Sequence, residues 1–119
     1  MDVGDAVVRA LLFRVTQAKH LRELVDELFV KDQYAQVIVL GDFNATEKTE
    51  VVKIVCGGSS FPDTQLENIC EQVPEVKRYS YIWSEEKRLI DHVLISKSLV
   101  GQVAHIEILN ASLRDQSEV

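Results

Sequence analysis

Three side chains in this chain have types and spacings suited to chemistry: Asp42, Asn44 and Asp91. Asp42 and Asn44 are two residues apart, directly after an apolar run, so both can face one cleft. A carboxylate in such a cleft can bind a metal ion or orient a water molecule as general base. The asparagine NH₂ group can donate to a phosphate oxygen. The alternative is an Asx-type turn, in which both side chains hydrogen-bond to the local backbone.

Asp91 lies inside the apolar stretch RLIDHVLIS (88–96). A carboxylate buried there costs free energy unless it has a partner, so we expect one. One alternative is a local ion pair with Arg88 or Lys87, and the other is a catalytic histidine that Asp91 orients. His92 is a poor candidate for that histidine, because neighbours in a strand point to opposite faces. We expect His92 to pack in the interior instead.

The other histidines and the aromatic residues give weaker indications. His20 and His105 are expected at the surface or at an edge, with nothing to place either one near the Asp42 site. Tyr79, Tyr81 and Trp83 form an aromatic segment that could stack on bases. The favoured interpretation is that they are core and edge aromatics of a hairpin.

A helix and a strand are expected to position the Asp42 segment. Apolar residues recur at spacings of three and four between about Val15 and Val30, which predicts a helix with one apolar face. The run Val37–Leu40 is apolar and rich in β-branched residues, which predicts a strand covered on both faces. A helix followed by such a strand indicates a layered α/β arrangement, with Asp42 and Asn44 on the sheet rim.

Further elements are predicted downstream of this rim. Thr46 is expected to cap a second helix, which Gly57 would close. The strand candidates include a hairpin with a turn at 84–87. The remaining predictions are a helix at 47–55, a short helix at 66–73, hairpin strands at 79–83 and 89–95, a short helical turn or loop at 96–100 and a strand at 103–109.

Composition fits one globular domain of 119 residues, 46% hydrophobic and 27% charged. The formal net charge of −6 argues against a plain DNA-binding module, which would usually be basic. It is compatible with carboxylates that hold a cation facing a phosphate.

No window reaches the ~18 apolar residues that a membrane span needs. Acidic Asp2 and Asp5 replace the basic region of a signal peptide. Cys56 and Cys70 show no metal-ligand spacing and are expected to be buried or half-buried thiols.

Three segments resemble the endonuclease/exonuclease/phosphatase (DNase I-like) superfamily. VIVLGDFNA (37–45) is similar to its GDFN segment, and RYSYIWSEEKRLIDHVLIS (78–96) is similar to its hairpin with Y-S-Y and DHIL-S patterns. RVTQAKHLRELVDEL (14–28) resembles the helix before GDFN. The segments occur in the family's order and are most similar to bacterial members described as extracellular nucleases. An extracellular parent protein is therefore expected.

The resemblance implies a fold and a set of roles. The fold is a two-layer β-sandwich flanked by helices, of which residues 1–119 would form an incomplete half with one main sheet. Asp42 would orient the attacking water, Asn44 would contact the phosphate, and Asp91 would orient a histidine of an S-D-H motif. Mg²⁺ or Mn²⁺ would be held by Asp42 together with a glutamate of the family's N-terminal half. That glutamate and the S-D-H motif have no counterpart in this sequence.

The sequence therefore predicts part of a metal-dependent phosphodiesterase, inactive as an isolated chain. A nuclease acting on nucleic acid is the favoured interpretation, with no membrane involvement. A second hypothesis is a non-catalytic module that self-associates through its uncovered sheet face. The third is part of a phosphatase of the same superfamily, acting on a lipid- or sugar-phosphate ester.

Overall fold

The structure, a computed structural model, describes residues 3–58 and 62–119 and is a mixed α/β arrangement. Two sheets are formed, one of three strands and one of two. The helices are α1 (Val3–Lys31), α2 (Glu50–Cys56) and α3 (Lys97–Val100), and the strands are β1 (Ile38–Asp42), β2 (Leu66–Asn68), β3 (Tyr81–Trp83), β4 (Glu86–Arg88) and β5 (Asp91–Ser96).

The main sheet has the strand order β1–β5–β2, and both pairings are antiparallel. β3 and β4 form a separate hairpin. Its two-residue turn consists of Ser84 and Glu85, with φ of 49° and 67°. Both residues have positive φ, as the twist of a tight hairpin requires. The predicted hairpin partner at 89–95 is therefore wrong, since 86–88 pairs with β3 and β5 joins the main sheet.

The core lies between the two longer helices and one face of the main sheet. The predicted helix at 15–30 is confirmed, and it begins earlier, at Val3. Within the described residues, no helix combines the length and apolar character needed to cross a membrane. The buried apolar residues of this core are Ala18, Val25, Phe29, Val37, Val51, Val52, Val55, Leu66 and Leu94.

The opposite face of the main sheet is partly open at β1. Ile38 is 57% exposed and Leu40 is 69% exposed, whereas Val37 is buried and Val39 packs against the core. The prediction that this strand is covered on both faces is therefore wrong. Its apolar outer residues resemble those of a buried strand, but no element in the described part of the chain covers them fully.

Several local predictions also need correction. α2 begins at Glu50 after Thr49, not Thr46, although it ends at Gly57 in the left-handed conformation as predicted. The segment predicted as a helix at 66–73 begins as β2, because its residues pair with β5, and only then forms a 3₁₀ turn at 69–72. Residues 103–109 form no strand. The helical turn predicted at 96–100 is confirmed as α3.

Arg22 joins α1 to the end of α2 and to the segment beyond it. The residue is 7% exposed, and its guanidinium donates to Val55 O (3.1 Å) and Thr64 O (2.7 Å). Its Nε also donates to Asp26 Oδ1 at 2.9 Å. Because the Asp26 side chain is half exposed, the backbone contacts, not the ion pair, should dominate the contribution of Arg22 to stability.

We expect Arg22→Leu to lower the free energy of unfolding by about 1–3 kcal/mol, because it removes the donor that Arg22 provides to the buried Val55 carbonyl. Asp26→Asn removes the charge of the ion pair alone, so it should cost about 1 kcal/mol at most. Chemical denaturation of both variants measures the difference. Equal losses would contradict the assignment of stability to the backbone contacts.

Asp115 ties the C-terminal segment to the β3–β4 turn. Its Oδ1 accepts from Ser84 N (2.9 Å) and Oδ2 accepts from Glu85 N (2.6 Å). Hydrogen bonds from the Ser117 hydroxyl and the Glu85 amide lower the pKa of Asp115 from 3.8 to about 2. The ionised form makes these bonds, so their stabilising effect is complete above pH 3.8 and is lost as the pH falls through about 2.

We expect the amide resonances of Ser84 and Glu85 to keep their neutral-pH positions down to about pH 3 and to move only near pH 2. In Asp115→Asn they should be displaced at every pH, because a neutral amide accepts these bonds more weakly. NMR titration measures this, with circular dichroism to exclude general acid unfolding. An ordinary carboxyl titration near pH 3.8 would argue against the tether.

Candidate active site

The register of β1 and β5 places Asp42 directly opposite Asp91. Phe43 N donates to Ile90 O at 2.9 Å, so residues 43 and 90 form a hydrogen-bonded pair. Such pairs alternate with non-hydrogen-bonded ones along an antiparallel ladder, which makes Asp42 and Asp91 a non-hydrogen-bonded pair, the type with closer side chains. Both residues are exposed. The sheet therefore brings together two carboxylates that lie 49 residues apart in sequence.

The Asp42 carboxylate is held by a local turn. Its Oδ1 accepts from Asn44 N at 2.7 Å, and Asn44 has a left-handed φ of 49°. Gly41, with φ 148°, precedes it in a conformation that L side chains rarely adopt. The Asn44 side chain makes no hydrogen bond to the local backbone within residues 3–58 and 62–119, so the alternative with both side chains bonded is realised only as an Asx turn at Asp42. It uses one carboxylate oxygen and leaves Oδ2 without a hydrogen-bond partner in residues 3–58 and 62–119, so it orients Asp42 without fully occupying it.

Ser80 holds the backbone before Asp91, a role that the sequence did not indicate. Its Oγ accepts from Ile90 N (3.1 Å) and Asp91 N (3.2 Å), and its own amide donates to Arg88 O (2.9 Å). The signal that could have found it is the serine between Tyr79 and Tyr81 in the Y-S-Y pattern. The hairpin is thereby fastened to the first residue of β5.

Asp91 has no ion pair with Arg88 or Lys87, so the alternative of a local ion pair is not realised. Arg88 bonds Glu86 Oε2 at 2.7 Å, which lowers the pKa of Glu86. The Lys87 ammonium lies 4.8 Å from the Tyr79 ring centroid. Asp91 is the exposed first residue of β5, so water can replace the partner that a buried carboxylate would need.

His92 lies on the opposite face of β5 from Asp91, and its predicted packing role is confirmed. It is 1% exposed, with Nε2 2.7 Å from Ala45 O and Nδ1 2.9 Å from Asn68 Nδ2. His20 and His105 are exposed and adjoin Glu23 and Glu107. Within the described part of the chain, no histidine faces the Asp42–Asp91 pair.

Asp42, Asn44 and Asp91 line one open cleft of about 1210 Å³. The lining includes five basic and five acidic residues, so it is formally neutral in a chain of net charge −6. Tyr79 and Tyr81 also line it, whereas Trp83 is half exposed elsewhere on the hairpin. The basic residues of the lining are Arg14, Lys48, Arg78, Lys87 and Arg88.

The cleft offers part of the ligand set that a divalent cation requires. Asp42 and Asp91 offer hard carboxylate oxygens, the ligands that Mg²⁺ prefers. Among the residues the structure describes, no group of three or more His, Cys, Asp or Glu side chains is close enough to form a metal site. Cys56 and Cys70 are free thiols, and burial raises the pKa of both, that of Cys56 to about 11. The carboxylates fit Mg²⁺ as a partial ligand set.

We expect Ser80→Ala to loosen the start of β5. The amides of Ile90 and Asp91 lose their acceptor, and each bond is worth about 1 kcal/mol, so their hydrogen exchange should accelerate roughly fivefold. Amide exchange measured by NMR tests this, with Ser112→Ala as an exposed control. Unchanged exchange at both amides would mean that Ser80 does not position Asp91.

Comparison with known proteins identifies the family. A model described as "Endonuclease/Exonuclease/phosphatase family" matches residues 9–113. This is a family of phosphodiesterase- and phosphatase-type hydrolases that are generally dependent on divalent metals. No curated protein and no solved structure matches the chain. Because the family match spans most of the 119 residues and the fold is consistent with part of a DNase I-like structure, the chain belongs to the endonuclease/exonuclease/phosphatase family.

Proposed function

We propose that this chain carries the water-orienting and phosphate-contacting part of a metal-dependent phosphodiesterase site. The observation that carries the proposal is the cross-strand pair of Asp42 and Asp91, with Asn44 in the same cleft. Like charges directly opposite each other destabilise a sheet. A positive group that faces Asp42 and Asp91 during the reaction would offset this repulsion, which would explain why two carboxylates lie opposite each other at the exposed end of the strands.

Mg²⁺, or Mn²⁺, fits beside Asp42, whose Oδ2 is not used by the Asx turn. When bound, the ion would stabilise negative charge on the phosphate. The remaining ligands would come from outside the described part of the chain. The motif order supports placing these residues in the C-terminal half of the family domain, with the family's metal-binding glutamate in the other half.

The chain's own residues have distinct roles in the proposed hydrolysis. Asp42 orients a water molecule, and its turn fixes the direction of the carboxylate. Asn44 donates from its NH₂ group to a phosphate oxygen. The bond from the water oxygen to phosphorus forms as the bond to the leaving ester oxygen breaks, and the proton that the water loses is balanced by the proton that the leaving oxygen takes up. Asp91 accepts a hydrogen bond from the imidazole that assists these proton transfers. That imidazole is supplied from elsewhere, because His92 faces the core.

Nucleic acid is the substrate class that the cleft supports best. Its lining has five basic residues against five acidic ones, a neutral balance in a chain whose net charge is −6. Lys48 is exposed and has no ion pair within residues 3–58 and 62–119, so it is available to a phosphate beyond the reacting one. Tyr81 also lines the cleft and would stack on an unpaired base there, whereas Lys87 lies over the Tyr79 ring.

We expect Mn²⁺ added to the labelled chain to broaden the amide resonances of residues 42–45 and 91 before any others, because the paired carboxylates attract the cation. Asp42→Asn should weaken this binding by about tenfold or more. The matched control is Glu86→Gln, which removes the same charge from the same cleft. Equal weakening by both variants would indicate charge attraction without a site at Asp42.

Hydrolysis by the chain alone is expected to be negligible, because the described residues lack the imidazole and further metal ligands. Assays with single-stranded DNA and with a sugar phosphate monoester test activity and substrate class together. Mg²⁺-dependent cleavage of DNA that Asp42→Ala abolishes would support the function and contradict the inactivity. Cleavage of the monoester alone would favour a phosphatase.

A further inference from the structure

The dipeptide Asp91–His92 contributes to both faces of the sheet. Asp91 faces the cleft, and His92, the next residue, projects from the core face of the sheet and contacts the loop that follows Asp42. His92 lies opposite Gly41 in the register, one position along from the Asp42–Asp91 pair. One residue of β5 is thus in the site, and its neighbour contacts the backbone that presents the other site residues.

The His92 ring contacts this loop in two ways. Its Nε2 is 2.7 Å from Ala45 O, and its ring lies edge-on to Phe43 at a centroid distance of 5.3 Å and an interplanar angle of 86°. The site residue Asn44, in its left-handed conformation, lies between these two contacts. Two other side chains bond this stretch: Asp42 Oδ1 accepts from Asn44 N at 2.7 Å, and Arg14 Nη1 donates to Asn44 O at 3.3 Å in a solvent-exposed bond. The buried His92 contact is less open to competition from water.

The tautomer of His92 follows from its partners. Asn68 Oδ1 accepts from Cys70 N at 3.1 Å, which directs the amide NH₂ of Asn68 towards His92 Nδ1. Nδ1 must then accept. Ala45 O can only accept, so Nε2 must carry the proton. A directed chain of hydrogen bonds therefore runs from Cys70 through Asn68 and His92 to Ala45.

We propose that His92 is a positioning residue for this site, with Asn68 fixing its tautomer. It holds residues 43–45 so that Asp42 and Asn44 stay aligned with Asp91, which a purely apolar residue of similar volume could not do. The effect on hydrolysis rests on the proposed function, whereas the effect on the loop does not. Because Asp91 and His92 are consecutive, a shift of β5 moves the Asp91 carboxylate. The same shift moves the His92 ring that holds the loop after Asp42.

The first test needs no variant. Long-range ¹H–¹⁵N NMR of the wild-type chain at neutral pH should show His92 with a protonated Nε2 and an unprotonated Nδ1. The reverse tautomer would overturn the proposal, since Nε2 could not then donate to Ala45 O.

The second test compares His92→Leu with His92→Gln. The leucine keeps the volume and removes the donor, whereas the glutamine places an amide N–H where it can reach Ala45 O. In His92→Leu the amide protons of Phe43 and Asn44 should exchange at least about tenfold faster. In His92→Gln they should return most of the way to wild type. His105→Leu, at an exposed histidine, is the control and should leave them unchanged.

The outcomes separate this inference from the proposed function. Unchanged exchange in His92→Leu, or an equal increase in the glutamine variant, would overturn the positioning role even if Mn²⁺ still binds at Asp42. Faster exchange with glutamine rescue supports the role even if neither Mn²⁺ nor a phosphate ester binds, and in that case the proposed function fails. If His92→Leu does not fold, the wild-type tautomer and the His92→Gln exchange decide the question.

Discussion

The antiparallel register between β1 and β5 is the constraint on which the candidate site depends. It places Asp42 opposite Asp91 and Gly41 opposite His92. Because side chains alternate with a period of two, a slip of one residue would turn Asp91 towards the core and His92 towards the cleft. The site therefore exists at one register only. The alignment of these two strands fixes the chemistry available to the cleft.

Contacts at both ends of the ladder select that register. At one end, Ser96 N donates to Val37 O at 2.9 Å, and Ser96 Oγ accepts from Val37 N at the same distance. In the middle, Leu94 is fully buried against α1 and α2. At the other end, His92 finds both hydrogen-bond partners on the core side. A slipped ladder would bury a carboxylate and leave these polar groups without partners, each at a cost of about 1–3 kcal/mol.

The spacing of apolar residues along the chain was enough to predict the features that depend only on helix and strand periodicity. Helical spacing identified α1, the apolar run identified β1 with Asp42 at its end, and strand alternation directed His92 away from Asp91. The family resemblance added the roles of Asp42, Asn44 and Asp91, which the geometry accommodates and experiments must test. Ser80 was missed because a hydroxyl that accepts two amides leaves no periodic trace in sequence.

The wrong predictions share a different cause, since each depends on what a segment packs against. Ile38 and Leu40 look like interior residues, but whether a sheet face is covered depends on elements elsewhere in the chain. The partner strand of the hairpin was predicted too late in the chain. Ser84 and Glu85 adopt positive φ although neither is glycine, so the turn has two residues and not the four that were predicted at 84–87. β2 is too short to show a period, and its pairing with β5 determines its conformation.

Because Asp91 lies in an apolar stretch of sequence, we expected a buried carboxylate with a partner. The structure gives a different reason why a carboxylate can occupy this position. Asp91 stands at the first position of β5, where the sheet ends and water reaches the carboxylate, and His92 is the first residue of that strand directed inward. The boundary between core and cleft thus falls between two adjacent residues. A polar side chain there can be buried because Asn68 and Ala45 satisfy both ring nitrogens. Burial of His92 and exposure of Asp91 are therefore two consequences of one strand position, and a substitution at either residue is expected to affect the other through the shared backbone.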